Sequence, residues 1–197
     1  MFYSLVKWFR GVTTAFLWGG HTVICSLVVY VLALFKILSP NEDWKLLFSK
    51  LLARVAEFWM DLSDKILDFM RVTKWELELP ENLDKNRSYL IISNHQAWSD
   101  IIALQRTLGG HVPFPRFFIK KQLLWVPFLG VAWWALDFPF MRRYSKEFQE
   151  KYPEKQKEDI ETIKNKCQRF KDLPTSILIF VEGTRFTKEK HKTSKSP

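Results

Sequence analysis

Cysteine is nearly missing from this 197-residue chain: Cys25 and Cys167 are the only two, far apart in unlike settings. That scarcity excludes a disulfide scaffold and a structural zinc site built on thiolates. With 7 Gly and 9 Pro, and no internal repeat, a collagen-like or low-complexity protein is excluded as well. Acidic groups are in deficit, 21 Asp+Glu against 30 Lys+Arg, for a formal charge of +9. An excess of that sign suits nucleic acid, an anionic membrane surface or a phosphorylated small molecule. No nucleic-acid recognition motif is present, so nucleic acid is set aside as a partner. What the chain has in abundance is apolar and aromatic: 17 Phe, 9 Trp and 5 Tyr within a hydrophobic fraction of 47 %. A disordered chain does not look like that.

Charge is absent altogether between Arg10 and Lys36, a run of 25 residues. Its apolar part, Phe16 to Phe35, is long enough as a helix to span the ~30 Å hydrocarbon core of a bilayer. A cleaved signal peptide would have a shorter core ending in a small-x-small site, whereas Leu34, Phe35 and Lys36 close this one. Ser39, Pro40 and Asn41 break the helix, and Glu42 and Asp43 suit the first turn of another. Residues 44–71 carry a stripe of Leu47, Leu51, Phe58, Leu62, Ile66 and Phe69 at helical spacing, with too many charges to span. Such a helix lies in the membrane interface or packs back on the first. Residues 1–72 are therefore expected to be membrane-anchoring helices.

Beyond residue 72 short apolar runs alternate with helical patterns. Thr73–Leu79 alternates polar and apolar until Pro80, and Ser88–Ser93 is a run typical of a buried strand. Ser99–Leu108 reads as a helix stopped by Gly109 and Gly110, and Phe117–Ile119 as a short strand. Leu123–Leu136 is rich in Trp, Phe and Leu but interrupted by Pro127 and Gly130. It is either the wall of an apolar pocket or a surface that dips into lipid. Glu154–Lys171 is a charged helix, Ser176–Val181 the last strand, and residues 187–197 a basic, mobile tail. The order predicts an α/β domain over 73–186 with a mixed sheet flanked by helices, following a membrane-associated helical hairpin.

Two polar turns each follow an apolar strand, where ligands bind in open α/β sheets. The first is Asn94-His95-Gln96-Ala97-Trp98-Ser99-Asp100. A histidine there can act as a general base, and a neighbouring carboxylate can fix its tautomer and stabilise the imidazolium. On one continuous helix, residues five apart would point about 140° apart. The two meet only if His95 sits in the turn and Asp100 in the first turn of the helix. The plain alternative is a loop histidine and a helix-start carboxylate. The second turn, Glu182-Gly183-Thr184-Arg185, offers tight backbone geometry at the glycine and a planar guanidinium suited to phosphate. Lys120 and Lys121 precede the aromatic run, and Arg142 and Arg143 close it. A basic rim around an aromatic lining fits an amphiphile with a phosphate head.

Taken together these residues resemble the glycerolipid acyltransferase family, whose best-known members are 1-acylglycerol-3-phosphate acyltransferases. Asn94, His95 and Asp100 match its Asn-His-x4-Asp motif, and Glu182, Gly183, Thr184 and Arg185 its Glu-Gly-Thr-Arg motif. The second family motif ends in an arginine after a hydrophobic stretch; Arg143 is the better-aligned choice and Arg142 the rival. The chain looks closest to the bacterial inner-membrane branch, with its active site on the cytoplasmic side.

The resemblance implies transfer of a fatty acyl group from acyl-CoA or acyl carrier protein to the free hydroxyl of a lysophospholipid, without metal or other cofactor. His95 would deprotonate the hydroxyl and Asp100 orient it. Glu182, Gly183, Thr184 and Arg185 would form part of the acceptor site, with Arg185, Arg142, Arg143 and Lys120 as candidate phosphate ligands. Three departures stand out: Val181 replaces a usual Pro, Asp137 a usual Gly, and only 12 residues follow Arg185. The family continues with a further strand and a Pro-containing apolar motif. The domain is thus expected to be incomplete at its C-terminus, with a sheet edge unpaired and apolar surface exposed. A truncated, inactive homologue that only binds membrane and anionic lipid is the alternative.

Overall fold

The computed structural model describes residues 2–69, 75–142, 146–155, 161, 164, 173–182 and 185–189. Two compact units emerge: residues 1–80 with 119–143, and residues 81–118 with 144–197.

In the first unit, α1 (Phe2–Leu38) and α2 (Glu42–Phe69) form a hairpin. At 1.5 Å per residue the 37 residues of α1 run about 55 Å. Among the described residues it is the helix long and apolar enough to cross a membrane. Asn41 starts α2, its Oδ1 accepting the Trp44 N–H at 3.1 Å. The residues that α2 buries are Leu52, Ala56, Met60 and Ser63. The stripe expected from spacing lies elsewhere: Leu47, Phe58 and Phe69 are exposed. The buried face mixes large Leu52 and Met60 with small Ala56 and Ser63, and the bulkiest aromatics of α2 are left off it. Polar groups then pin the hairpin, as His21 Nε2 lies 3.0 Å from Ser63 Oγ and Trp59 Nε1–H donates to Thr22 Oγ1 at 3.0 Å.

The same unit holds a small parallel ladder, β3 (Ile119–Lys120) with β4 (Phe140–Met141). A 3₁₀ turn at Lys121–Trp125 and α4 (Leu129–Ala135) form the crossover between them. Gly130 is where the turn and α4 touch, and any Cβ there would overlap the Leu124 carbonyl. Gly130→Ala is therefore expected to cost about 1–3 kcal/mol, as overpacking does, read as a lowered Tm. Asp137, at the position the resemblance gives to glycine, has φ +60°. Glycine suits that left-handed backbone, and Asp is among the few other residues that tolerate it. Its carboxylate meets Lys36 Nζ of α1 at 2.6 Å.

In the second unit β1 (Tyr89–Ser93), β5 (Ser176–Phe180) and β2 (Pro115–Phe117) form a parallel sheet with β5 central. α3 (Ser99–Leu108) follows β1, and α5 (Lys146–Lys151) lies further along the chain. Every strand pair among the described residues is parallel. Three expectations need correction. Residues 75–79 carry no strand, because the alternating pattern finds no ladder partner among the described residues. The strand expected at Phe117–Ile119 divides at Phe118 into β2 and β3, which pair in different sheets. β1, expected to be buried, shows one uncovered face: Leu90 and Ile92 are 65 % and 62 % exposed, while Ile91 between them is half-buried. The charged helix over 154–171 lies for the most part outside the described residues, as does the tail from residue 190.

Candidate active site

Parallel register is what brings the two polar turns together. Ser93 lies opposite Phe180, so the chain leaves β1 and β5 side by side at the carboxyl ends of both strands. Residues 87 positions apart then touch: Glu182 Oε2 accepts the His95 backbone N–H at 2.7 Å. The Phe186 N–H donates back to the His95 carbonyl at 2.7 Å. Both backbone groups of His95 are thus held by the segment that follows β5, and Glu182 acts as a brace for the histidine turn. Val181 N–H donates to Ser93 O at 3.4 Å, a bond that the more usual proline at 181 could not make.

The side chains complete the arrangement. His95 is in the turn and Asp100 in the first turn of α3, the one placement in which they can meet. A single oxygen, Asp100 Oδ2, lies 3.0 Å from His95 Nδ1 and accepts N–H bonds from Gln96 at 2.6 Å and Ala97 at 2.8 Å. The Ala97 N–H chiefly, with His95 and Gln96, holds the Asp100 carboxyl below the usual carboxylate range, against an opposing push from desolvation. A carboxylate only accepts hydrogen bonds, so Nδ1 carries the hydrogen and the lone pair of the neutral ring lies on Nε2. Among the described residues nothing hydrogen-bonds Nε2. The ring stacks on Phe180 with centroids 4.2 Å apart and planes at 21°. Packing from one side and a charge at one edge orient the imidazole, and Nε2 has no hydrogen-bond partner among the described residues.

Arg185 reaches the same turn by another route. Its Cζ lies 4.6 Å from the centroid of the Trp98 ring, an exposed indole one residue before α3. A cation over an indole face is attracted by the ring quadrupole. Trp98 escaped the sequence reading because it occupies a variable position inside Asn-His-x4-Asp; its only signal was an aromatic beside a histidine and opposite a family arginine. Gly183, Thr184 and Arg143 lie outside the described residues. Lys120 and Arg142 belong to the first unit, where Lys120 pairs in register with Met141. That pairing puts both exposed cations at one end of the β3–β4 ladder.

Known proteins are similar to this chain in sequence and in fold. A model of the acyltransferase family matches residues 74–196, which include both turns. An uncharacterised acyltransferase of Schizosaccharomyces pombe is 31 % identical over 130 residues, 66 % of this chain and 40 % of that protein. The 1-acyl-sn-glycerol-3-phosphate acyltransferase 3 of Arabidopsis thaliana is 28 % identical over 187 residues, 87 % of this chain and 45 % of that one. Human 1-acyl-sn-glycerol-3-phosphate acyltransferase gamma is 36 % identical over 77 residues, 38 % of this chain and 18 % of that protein. The chain thus spans less than half the length of these relatives. The crystal structure of a 1-acyl-sn-glycerophosphate acyltransferase from Thermotoga maritima shares the fold, with TM-score 0.57 at 19 % identity, covering 93 % of this chain and 64 % of that one.

Proposed function

The chain belongs to the acyltransferase family, and from that premise we propose that it moves a fatty acyl group from a thioester to the free hydroxyl of a lysophospholipid. The observation that carries the proposal is the Asp100–His95 pair, 3.0 Å apart, with Nε2 unbonded among the described residues. Nε2 takes the proton of the acceptor hydroxyl as that oxygen attacks the thioester carbonyl. The imidazolium so formed is stabilised by the Asp100 carboxylate. Collapse of the tetrahedral intermediate breaks the carbon–sulfur bond, and the proton on Nε2 passes to the departing thiolate. The products are an ester and a free thiol, and no acyl-enzyme is formed. The donor is acyl-CoA or acyl carrier protein, and the acceptor is 1-acylglycerol-3-phosphate, its phosphate met by Arg185. α1 keeps the protein at the membrane where the lysophospholipid resides.

Arg185→Ala tests the acceptor assignment. With lysophosphatidate its KM is expected to rise about 10–100-fold, the worth of a charge-assisted bond of about 1.5–3 kcal/mol. With monoacylglycerol, which has no phosphate, the rate should be unchanged by the same substitution. An equal effect on both acceptors would remove the phosphate from Arg185. Trp98→Ala should raise the lysophosphatidate KM about 2–5-fold with kcat preserved, and Trp98→Phe should restore most of it, since a phenyl face still attracts the guanidinium.

A further inference from the structure

The aromatic crossover of the first unit is built inside out for a water-facing element. α4 buries its small residues, Gly130, Ala132 and Ala135, and turns Val131 and Trp134 outward at 46 % and 44 % exposure. Phe128 just before it is 44 % exposed, and Trp125 is 86 % exposed. The four recur every third residue in a stretch, residues 122–136, that holds no charged side chain. α2 likewise turns Phe58 and Phe69 outward, while it buries Leu52 and Met60 with Ala56 and Ser63. In water large apolar residues belong inside; an outward aromatic face is stable against hydrocarbon.

Two further observations identify what covers this face. The first is continuity with α1: Tyr30 Oη donates to the Phe128 carbonyl at 2.7 Å, and Lys36 Nζ bonds Asp137 Oδ2 at 2.6 Å. The stretch of α1 tied down in this way is the one that exposes Val31 and Leu34, at 55 % and 54 %. The second is charge: Lys120 and Lys121, both exposed, stand at the start of the aromatic segment. Tryptophan favours the boundary between headgroups and acyl chains, and lysines beside it favour anionic headgroups. We infer that Trp125, Phe128, Val131 and Trp134 form a second lipid contact, seated at the headgroup–acyl boundary of an anionic bilayer beside α1. The contact deepens the membrane placement proposed above and rests on it. It fixes the rotation of the first unit about the axis of α1, which a lone helix leaves free.

The test uses the full chain carrying Cys25→Ala and Cys167→Ser, reconstituted in phosphatidylcholine–phosphatidylglycerol vesicles. An environment-sensitive fluorophore is attached in turn at Trp125→Cys, Trp134→Cys, Leu27→Cys on α1, and Glu81→Cys as an aqueous reference. Replacing part of the lipid with a form brominated near the glycerol end of the chain should dim positions 125 and 134 about two-fold or more, and leave position 81 unchanged. Quenching at 27 without quenching at 125 and 134 overturns the inference while α1 stays in lipid. A label at 125 shielded from water yet untouched by brominated lipid overturns it in favour of a protein partner, such as a second copy. No quenching at 27, 125 and 134 sinks the membrane placement and this contact together. Because Trp125 is almost fully exposed, loss of its side chain leaves the packing intact. Trp125→Phe and Trp134→Phe in the unlabelled chain provide an independent reading, each removing part of the lipid-quenched intrinsic emission.

Discussion

His95→Ala is expected to lower acyl transfer from acyl-CoA to lysophosphatidate by about 10²–10⁴-fold, the usual worth of a positioned general base. The loss should fall on kcat, because no step of acceptor binding assigned to Arg185 passes through the imidazole. Substitution removes the ring stacked on Phe180 and the partner of Asp100, but leaves the backbone brace intact, since Glu182 and Phe186 hold residue 95 by its N–H and carbonyl. The β1–β5 ladder is likewise made of backbone. An inactive variant should therefore keep its circular dichroism and remain membrane-bound, which separates lost chemistry from lost fold. His95→Gln restores a polar group without a basic nitrogen and should be as inactive as the alanine variant. Activity within a few-fold of wild type in either would assign the proton transfer to another group.

The legibility of this chain follows how local each determinant is. α3 was readable to the residue because Ser99 and Asp100 open it and Gly109 and Gly110 close it. β1 and β5 were readable as short apolar runs, but the side of the sheet on which each lay was not. What covers each face of the sheet is a non-local fact, and so Leu90 and Ile92, on one face of β1, are exposed in a run that reads as buried. Phe117–Ile119 misled for a similar reason, since two neighbouring dipeptides found partners in different sheets. At the site, pattern alone leaves His95 and Asp100 open to the plain reading of a loop histidine and a helix-start carboxylate. It is the resemblance to the family motifs that singles out His95, Asp100 and Arg185. That Glu182 would spend its carboxylate on a backbone N–H could not be read from the chain, nor that Trp98 would lie under Arg185. Both depend on the Ser93–Phe180 register. The glycine-like position of Asp137 also became intelligible only with its φ of +60°.

Asp100→Asn isolates charge from shape, and its effect should be nearly as large, a fall in kcat of about 10²-fold or more with KM little altered. The amide oxygen can take the place of Oδ2 and still accept from Gln96, Ala97 and His95 Nδ1, so the turn and the start of α3 are retained. What disappears is the negative charge that stabilises the imidazolium as the acceptor proton arrives. The same charge has a signature in stability. Hydrogen bonds, that of Ala97 foremost, depress the folded-state carboxyl below its ordinary value. An unfolded chain therefore takes up this proton at higher pH than the folded one. The stabilisation is fully present above the ordinary carboxylate value and is lost as pH falls through the lowered one. Tm measured from neutral pH downward should thus decline more steeply in wild type than in Asp100→Asn, and the two curves should converge at the acid end. Parallel curves would mean that Asp100 gains nothing from its three donors, and an unimpaired kcat would leave His95 to work without a charged partner.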